Sequence, residues 1–245
     1  MNAFKTTKEL FQNPLGLPQD ITLSVYREAW ERAKFSTVFI NSVLVSVGCV
    51  ILVLVTATLA GFALARLNFK GRTLFSRLFA SSIIISAPII VIPLFYIVRN
   101  LGLYNNLLSV MFTQSALALP IALVLLTGFF KEIPKEIEES VKIDGCSNLR
   151  FFVSFVLPLS KPILATIVVF ESLWSWNEYL YALTFLKRQS VRTLPLQLQM
   201  FFSEFRTEWS YLFAALSIAV VPLLILFVIL QKYFIKGLTA GAVKA

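Results

Sequence analysis

Two carboxylates in one apolar stretch are the residues of this chain best placed to bind or react with a substrate. Glu171 and Glu178 lie seven residues apart within the stretch 162–186. On an α-helix rising about 1.5 Å per residue, this spacing places both on one face, roughly 10 Å apart. Three further polar or aromatic residues share or flank that face: Trp174, Asn177 and Tyr181. Carboxylates and amides hydrogen-bond to hydroxyl groups and aromatic rings cover the C–H face of a sugar, so the pattern predicts a pathway for a polyol.

The same residues allow other interpretations. The aromatic side chains suit a position at the lipid–water interface, and Glu178 suits an ion pair with a basic residue of a partner subunit. If Glu171 and Glu178 carry protons instead, the chain is a secondary transporter, which is the alternative function. Such carriers usually place broken repeats in both halves of a longer chain, a pattern that is not visible here.

Enzymatic chemistry finds little support in the sequence. The chain has no histidine, and the two cysteines, Cys49 and Cys146, are too far apart for a metal-binding pair. No Gly-x-x-x-x-Gly-Lys-Ser/Thr stretch is present, so the chain has no phosphate loop of its own. We therefore predict no catalytic residue, no metal site and no cofactor bound by this chain. The net charge of +9 is scattered over the ends of apolar segments, which argues against nucleic-acid binding.

The elements that position these residues are membrane helices. The chain is 58% hydrophobic and 14% charged, whereas soluble domains carry about 25% charged residues. A helix needs about 20 apolar residues to cross a bilayer, and lipid leaves no partner for unpaired backbone groups. We therefore predict an all-α integral membrane fold. Five stretches are long enough to span: 37–65, 74–98, 107–130, 162–186 and 210–235.

Charge predicts how the spans are oriented. Alternation places 66–77, 131–161 and the C-terminus on one side, with 12 of the 22 Lys and Arg residues. The positive-inside rule predicts this side to be cytoplasmic. Residues 1–35 then form an extracytoplasmic segment, and 36–245 form the transmembrane domain. Because 1–35 carry basic residues and no apolar leader, we expect a further helix upstream of Met1; the inverted topology is the alternative.

The connection 131–161 is a polar island between apolar stretches. Pro134 suits the start of a helix, and Gly145 suits its end because glycine readily adopts a positive φ. Ser147 or Asn148 then caps a second helix. Its expected apolar face comprises Leu149, Phe152, Phe155 and Val156. The island is therefore predicted to be a helix–turn–helix on the cytoplasmic surface.

This island resembles the EAA loop of ABC importer permeases, whose pattern combines Glu-Ala-Ala, Asp-Gly-Ala and a later Leu-Pro and Pro. The pattern is matched by Glu139, Ser140, Val141, Asp144, Gly145, Leu157, Pro158 and Pro162. Serine, valine and Cys146 stand where the family has alanine. The likeness spans more than twenty residues.

Two other stretches narrow the resemblance to the carbohydrate-type permeases. Residues 174–183 resemble their fifth helix, and residues 237–244 resemble their C-terminal signature. The likeness covers nearly the whole chain, while the family's subunit has six helices, which again implies one more helix in front of this sequence.

The resemblance implies partners as well as a fold. In the family, this loop docks on a separate ATPase subunit, which binds ATP and Mg. The implied assembly contains a second permease, a dimer of ATP-binding subunits and an extracytoplasmic sugar-binding protein. It lies in the lipid bilayer of a bacterial or archaeal cytoplasmic (inner) membrane. A solvated loop without a docking role, and a membrane scaffold without a substrate, are the alternatives.

Overall fold

The computed structural model describes residues 2–5, 7–13, 15–17, 23–201 and 209–242, and the chain in these ranges is helical without strands. The α-helices are α1 Thr7–Gln12, α2 Ser24–Arg32, α3 Phe35–Arg66, α4 Arg72–Ser82, α5 Ala87–Asn100, α6 Leu107–Glu132, α7 Lys135–Ile143, α8 Asn148–Phe151, α9 Leu157–Leu159, α10 Lys161–Trp176, α11 Leu180–Phe185, α12 Leu194–Leu198 and α13 Trp209–Ala242. A π-helical turn, Phe152–Val156, joins α8 to α9.

Three of these helices are long and apolar enough to cross a membrane: α3, α6 and the Trp209–Ile229 part of α13. Two bent pairs bring the number to five if each pair counts as one span. One pair is α4 with α5, bent by 110°, and the other is Asn148–Leu159 with α10, bent by 73°. The described part of the chain thus has the all-helical membrane fold predicted from the sequence.

The stretch 74–98 was predicted to be one membrane helix with its prolines tolerated as kinks, and the structure divides it into two helices, α4 and α5. The helix breaks between Ser82 and Ala87. Pro88 explains the break, because its ring would clash with the carbonyl of Ile84 in a continuous helix and it lacks an N–H to donate. The hydroxyl of Ser82 instead donates to the carbonyl of Phe79 at 2.8 Å, which closes the last turn of α4. This break forms part of the wall of a cavity described below.

The helix predicted over 162–186 is also interrupted. Helix α10 ends at Trp176, and a separate helix, α11, begins at Leu180. Glu178 therefore lies in a connection and not on the helical face that carries Glu171. The predicted stripe of Glu171, Trp174, Glu178 and Tyr181 is wrong as a single helical face.

Helices α3 and α6 form the centre of the bundle. Gly61 of α3 allows their close approach, because a Cβ at this position would lie 3.2 Å from the Leu126 Cβ. The opposite face of α3 is exposed and apolar. It carries Ile40, Leu44, Val47, Ile51, Val55 and Leu59. The three- and four-residue spacing of this stripe is that of a helix face turned toward lipid or a neighbouring subunit.

Hydrogen bonds hold the loops between the helices together at the two ends of the bundle. At one end, the Asn41 amide donates to the carbonyls of Ser190 and Arg192, each at 2.9 Å. The Asn105 side chain accepts from the amide of Lys187 at 2.6 Å. The connections near 105 and 187–192 therefore share an end with the start of α3. The opposite end holds 66–72 and the island, as the alternation of spans requires.

The described part of the N-terminal segment reaches the end that holds 187–192, where the Lys34 ammonium donates to the Gln189 side chain at 3.3 Å. The Ser217 hydroxyl of α13 bonds to the Tyr26 hydroxyl of α2 at 3.1 Å. Residues 1, 6, 14 and 18–22 of this segment lie outside the described residues. Which end faces the cytoplasm is still a prediction from charge.

Candidate functional site

The island forms a helix–turn–helix, residues 135–151, which we call the knob. Helix α7 stops at a Schellman turn. The Gly145 amide donates to the carbonyl of Lys142 at 3.0 Å, and the Cys146 amide donates to that of Val141 at 3.1 Å. Gly145 has a φ of 74°, as the sequence indicated. Ser147 then caps α8, since its hydroxyl oxygen accepts from the amide of Arg150 at 3.3 Å.

The knob has a packed side and a free side. Ile137, Val141 and Cys146 pack against the hydrophobic core at this end of the bundle. The free side carries four of the residues predicted to couple the chain to an ATPase. These are Glu139, Ser140, Asp144 and Gly145, all of them exposed. The turn therefore presents polar groups and bare backbone to any protein at this end.

The expected apolar face of the second helix needs correction. Phe151, Phe152 and Val156 are buried, whereas Leu149 and Phe155 are 67% and 38% exposed. The π-helical turn beginning at Phe152 explains the difference, because it holds more residues per turn and shifts which positions face inward. Phe152 packs on Phe62 of α3 with ring centroids 4.9 Å apart.

The predicted prolines mark the bend that follows the knob. Leu157 and Pro158 belong to α9, Pro162 is in the first turn of α10, and the chain bends by 73° between the two helices. Ser160 sits at the bend, where its amide and its hydroxyl both donate to the carbonyl of Val156. The π-helical turn, α9 and the bend thus connect the knob to α10, the helix that carries Glu171.

A buried arginine ties the knob to the membrane helices. Arg66 ends α3, and its guanidinium is 5% exposed. It donates to the carbonyls of Phe130 and Ile133, where α6 ends. It also pairs with Glu138 of α7 at 3.3 Å, while Lys142 pairs with the other oxygen of that carboxylate at 2.6 Å. One side chain therefore holds the ends of α3 and α6 and the start of the knob together.

Glu178 has a structural task in this fold. Its two carboxylate oxygens accept hydrogen bonds from the amides of Tyr181 at 2.6 Å and Ala182 at 3.0 Å. These are free N–H groups in the first turn of α11. Asn177 is likewise used locally, because its amide donates to the carbonyl of Leu173 at 2.7 Å. Of the predicted pathway residues, these two are not brought to the others.

Replacing Glu178 tests this role. We expect Glu178→Ala to destabilise the subunit by about 2 kcal/mol, since two buried N–H groups lose a charged acceptor. Glu178→Gln keeps one acceptor oxygen and should lose about half as much. Thermal unfolding of the purified protein in detergent measures both. Equal stability of the alanine variant and the wild type would contradict the capping role.

The remaining predicted pathway residues surround a cavity of about 340 Å³. Glu171, Trp174 and Tyr181 line it together with Gln114 of α6 and two serines, Ser82 and Ser86, which flank the break between α4 and α5. Glu171 is 6% exposed and Tyr181 is 4% exposed. Polar side chains from four helices and one helix break thus meet in one space within the membrane bundle.

The comparisons with known proteins fit this architecture. The profile of the family described as "Binding-protein-dependent transport system inner membrane component" matches residues 54–240. The chain belongs to this family. Similar proteins include the diacetylchitobiose uptake system permease protein DasC of Streptomyces coelicolor, 38% identical over 99% of this chain and 88% of that protein. The melibiose/raffinose/stachyose import permease protein MelC of Bacillus subtilis is 37% identical over 93% of this chain and 83% of that protein.

A solved structure shows the same fold. One chain in the crystal structure of a bacterial ABC transporter involved in the import of the acidic polysaccharide alginate superposes on this chain with a TM-score of 0.82. The identity is 24%, and the match covers 95% of this chain and 87% of that chain. The family assignment and the apolar helices together make the chain a multi-pass membrane component of a transport system.

The family assignment weakens the secondary-transporter alternative. That hypothesis needs two titratable carboxylates on one route, but Glu178 holds the start of α11. Sequence reasoning assigned Gln114, Ser82 and Ser86 no role beyond helix packing, and it missed Arg66. A polar amide in the middle of an apolar span, such as Gln114, was the available signal. Nothing local distinguished Arg66 from other basic residues at the end of a span.

Proposed function

We propose that this chain is a permease subunit of an ABC importer for a sugar or oligosaccharide, and that its knob couples it to a separate ATPase. The single observation that carries the proposal is the geometry of the knob. A short helix stops at a positive-φ glycine, presents its polar side outward, and is fixed from behind by a buried arginine.

The knob is suited to transmit force. Its base packs on aromatic rings of the core, and Arg66 connects it to the ends of two membrane helices. A load applied at Gly145 therefore reaches α3 and α6 through buried contacts and α10 through the bend at Ser160. A flexible loop would absorb such a load.

The same proposal sets the partners and the location. The chain works with a second permease, a dimer of ATP-binding subunits and an extracytoplasmic sugar-binding protein in a bacterial or archaeal cytoplasmic membrane. ATP and Mg bind to the ATPase partner. The sugar assignment is supported by the names of its relatives, among them uptake permeases for diacetylchitobiose and for melibiose, raffinose and stachyose.

The two cysteines provide a test of the docking site. Cys146 is half-buried beside Gly145, whereas Cys49 is fully buried in α3. A maleimide photo-crosslinker applied to native membranes should therefore react at Cys146. We expect it to capture a protein that also incorporates azido-ATP, and we expect Cys146→Ser to abolish the capture. Cross-linking that reaches no ATP-binding protein would contradict the proposal.

Energetics provide a separate test of the transport reaction. Uptake into vesicles should require ATP, should be inhibited by vanadate and should tolerate a proton uncoupler. The opposite pattern of inhibition would support the secondary transporter.

A further inference from the structure

The cavity between α6, α10, α11 and the break after α4 is lined by buried polar side chains that helix packing alone does not require. Its volume is about 340 Å³, which is far more than a single ordered water needs. Gln114, Glu171 and Tyr181 reach it from three different helices, and each is more than nine-tenths buried. Buried polar groups in proteins are normally hydrogen-bonded, so their partners identify what the site is for.

These three side chains leave hydrogen-bonding capacity unused. The Tyr181 hydroxyl has no partner among the residues that the structure describes. In the same part of the chain, Glu171 forms no hydrogen bond and no ion pair. Gln114 accepts a weak bond from the Cys49 thiol at 3.5 Å, which leaves its amide nitrogen free to donate. The Glu171 carboxylate and the Gln114 amide nitrogen therefore line one space without hydrogen-bond partners in the described part of the chain, and a polar ligand or water can complete them. Tyr181, whose buried hydroxyl also has no partner there, lines the same space.

An aromatic ring also lines this space. Trp174 is 59% exposed and also lines a neighbouring cavity of about 290 Å³, whose wall is otherwise apolar apart from Glu171. A ligand in this space would therefore meet both hydrogen-bonding groups and an aromatic ring. This matches the two surfaces of a sugar, which has hydroxyls around its edge and C–H groups on its faces.

The charged group in the described wall of this cavity is a carboxylate without a basic neighbour. Glu171 is the only ionisable carboxyl group among the described residues that line the cavity, and no lysine or arginine lines it there. An anionic ligand would find no counter-ion and would be repelled by an ionised Glu171 in surroundings of low dielectric constant. A neutral or cationic ligand supplies N–H and O–H donors to the same carboxylate. Rejection through an unpaired like charge is a general means of specificity.

We propose that this cavity is the sugar-contact site of the subunit and that Glu171 makes it selective for neutral and amino sugars over acidic sugars. The proposal rests on the proposed function as a sugar permease and adds a substrate class to it. Glu171 accepts from ligand hydroxyl or ammonium groups, Gln114 donates, and Trp174 stacks on the ring.

The test measures binding to the complete transporter in nanodiscs, without the binding protein. The probes are p-nitrophenyl glucoside, p-nitrophenyl glucosaminide and p-nitrophenyl glucuronide, which differ in charge on one scaffold. Saturation-transfer NMR titrations give a Kd for each. We expect the glucuronide to bind at least about tenfold more weakly than the glucoside, and the glucosaminide at least as tightly as the glucoside.

Three variants separate the charge effect from simple destabilisation. Glu171→Gln keeps the shape of the side chain and should reduce the discrimination against the glucuronide to less than about threefold. Tyr181→Phe should weaken all three probes by about fivefold and leave their ratio unchanged. Glu178→Gln is the matched control, because it also neutralises a buried carboxylate but does not line the cavity. It should leave the ratio unchanged.

Each of three results would overturn this inference: equal binding of glucuronide and glucoside to the wild type, unchanged selectivity in Glu171→Gln, or no saturation transfer to any probe. If ATP-driven uptake persists in vesicles alongside such a result, only the assignment of the cavity fails. If uptake proves independent of ATP, the proposed function fails whatever the probes show.

Discussion

We expect Gly145→Asp to reduce ATP-driven uptake at least about tenfold, while the subunit stays in the membrane at normal abundance. The space around Gly145 is open, since a Cβ there would meet nothing within 4 Å. The positive φ costs an aspartate only about 1 kcal/mol. The subunit therefore folds, but its docking turn carries a side chain and a charge where bare backbone stood. Uptake into right-side-out vesicles loaded with ATP measures the first quantity, and immunoblotting of the subunit measures the second.

The opposite end of the bundle offers a matched control. Gly102 also has a positive φ, 70°, and a Cβ there would likewise meet nothing within 4 Å. Gly102→Asp should thus carry the same backbone cost and leave the coupling of ATP hydrolysis to uptake intact. Equal uptake by Gly102→Asp and Gly145→Asp would remove the special role of the knob.

Removing the buried arginine should have the second large effect. We expect Arg66→Ala to destabilise the subunit by about 3–5 kcal/mol, because it leaves Glu138 without its buried partner and the carbonyls of Phe130 and Ile133 without donors. Where the variant still inserts, the knob is no longer fixed to α3 and α6. ATP hydrolysis by the complex should then continue while uptake falls. Limited proteolysis within 131–161 and the ratio of uptake to hydrolysis measure these effects.

Two milder variants isolate the cause. Arg66→Lys keeps the charge but replaces the forked guanidinium by a single ammonium group, so it should lie between the wild type and the alanine variant. Lys142→Ala removes the half-exposed partner of the same carboxylate and should cost about 1 kcal/mol or less. If the Arg66→Ala variant is as stable and as well coupled as the Lys142→Ala variant, Arg66 does not hold the knob to α3 and α6.

Local chemistry explains the parts of the molecule that were predictable. The stop of α7 at Gly145 followed from the need for a positive φ. A cap at Ser147 or Asn148 followed from their polar side chains, and the structure uses Ser147. The membrane helices α3 and α6 followed from long apolar stretches that have few alternatives in lipid. In each case the cause lies within a few residues of its effect or in composition alone.

The failures arose where one residue or one distant contact overrides the apolar pattern. Pro88 breaks an apolar stretch that reads as continuous, and the π-helical turn at Phe152 rotates the buried face of the second helix. Glu178 and Glu171 have the same residue type and a helical spacing, yet one caps a helix and the other faces a cavity. Hydrophobic periodicity carries no information about such local exceptions.

The sequence by itself determined that this protein is membrane-embedded and helical with a polar knob, because apolar length, charge placement and turn residues act locally along the chain. Its resemblance to the EAA loop added the expectation of a permease. Only the tertiary structure decided which groups come together: Arg66 with Glu138 across 72 residues, and Gln114 with Glu171 and Tyr181 around one cavity. These encounters depend on the packing of separate helices. Whether a buried charged group is paired depends on a side chain that lies far away in the sequence. No local pattern shows whether that partner is present or whether the group remains available to a ligand.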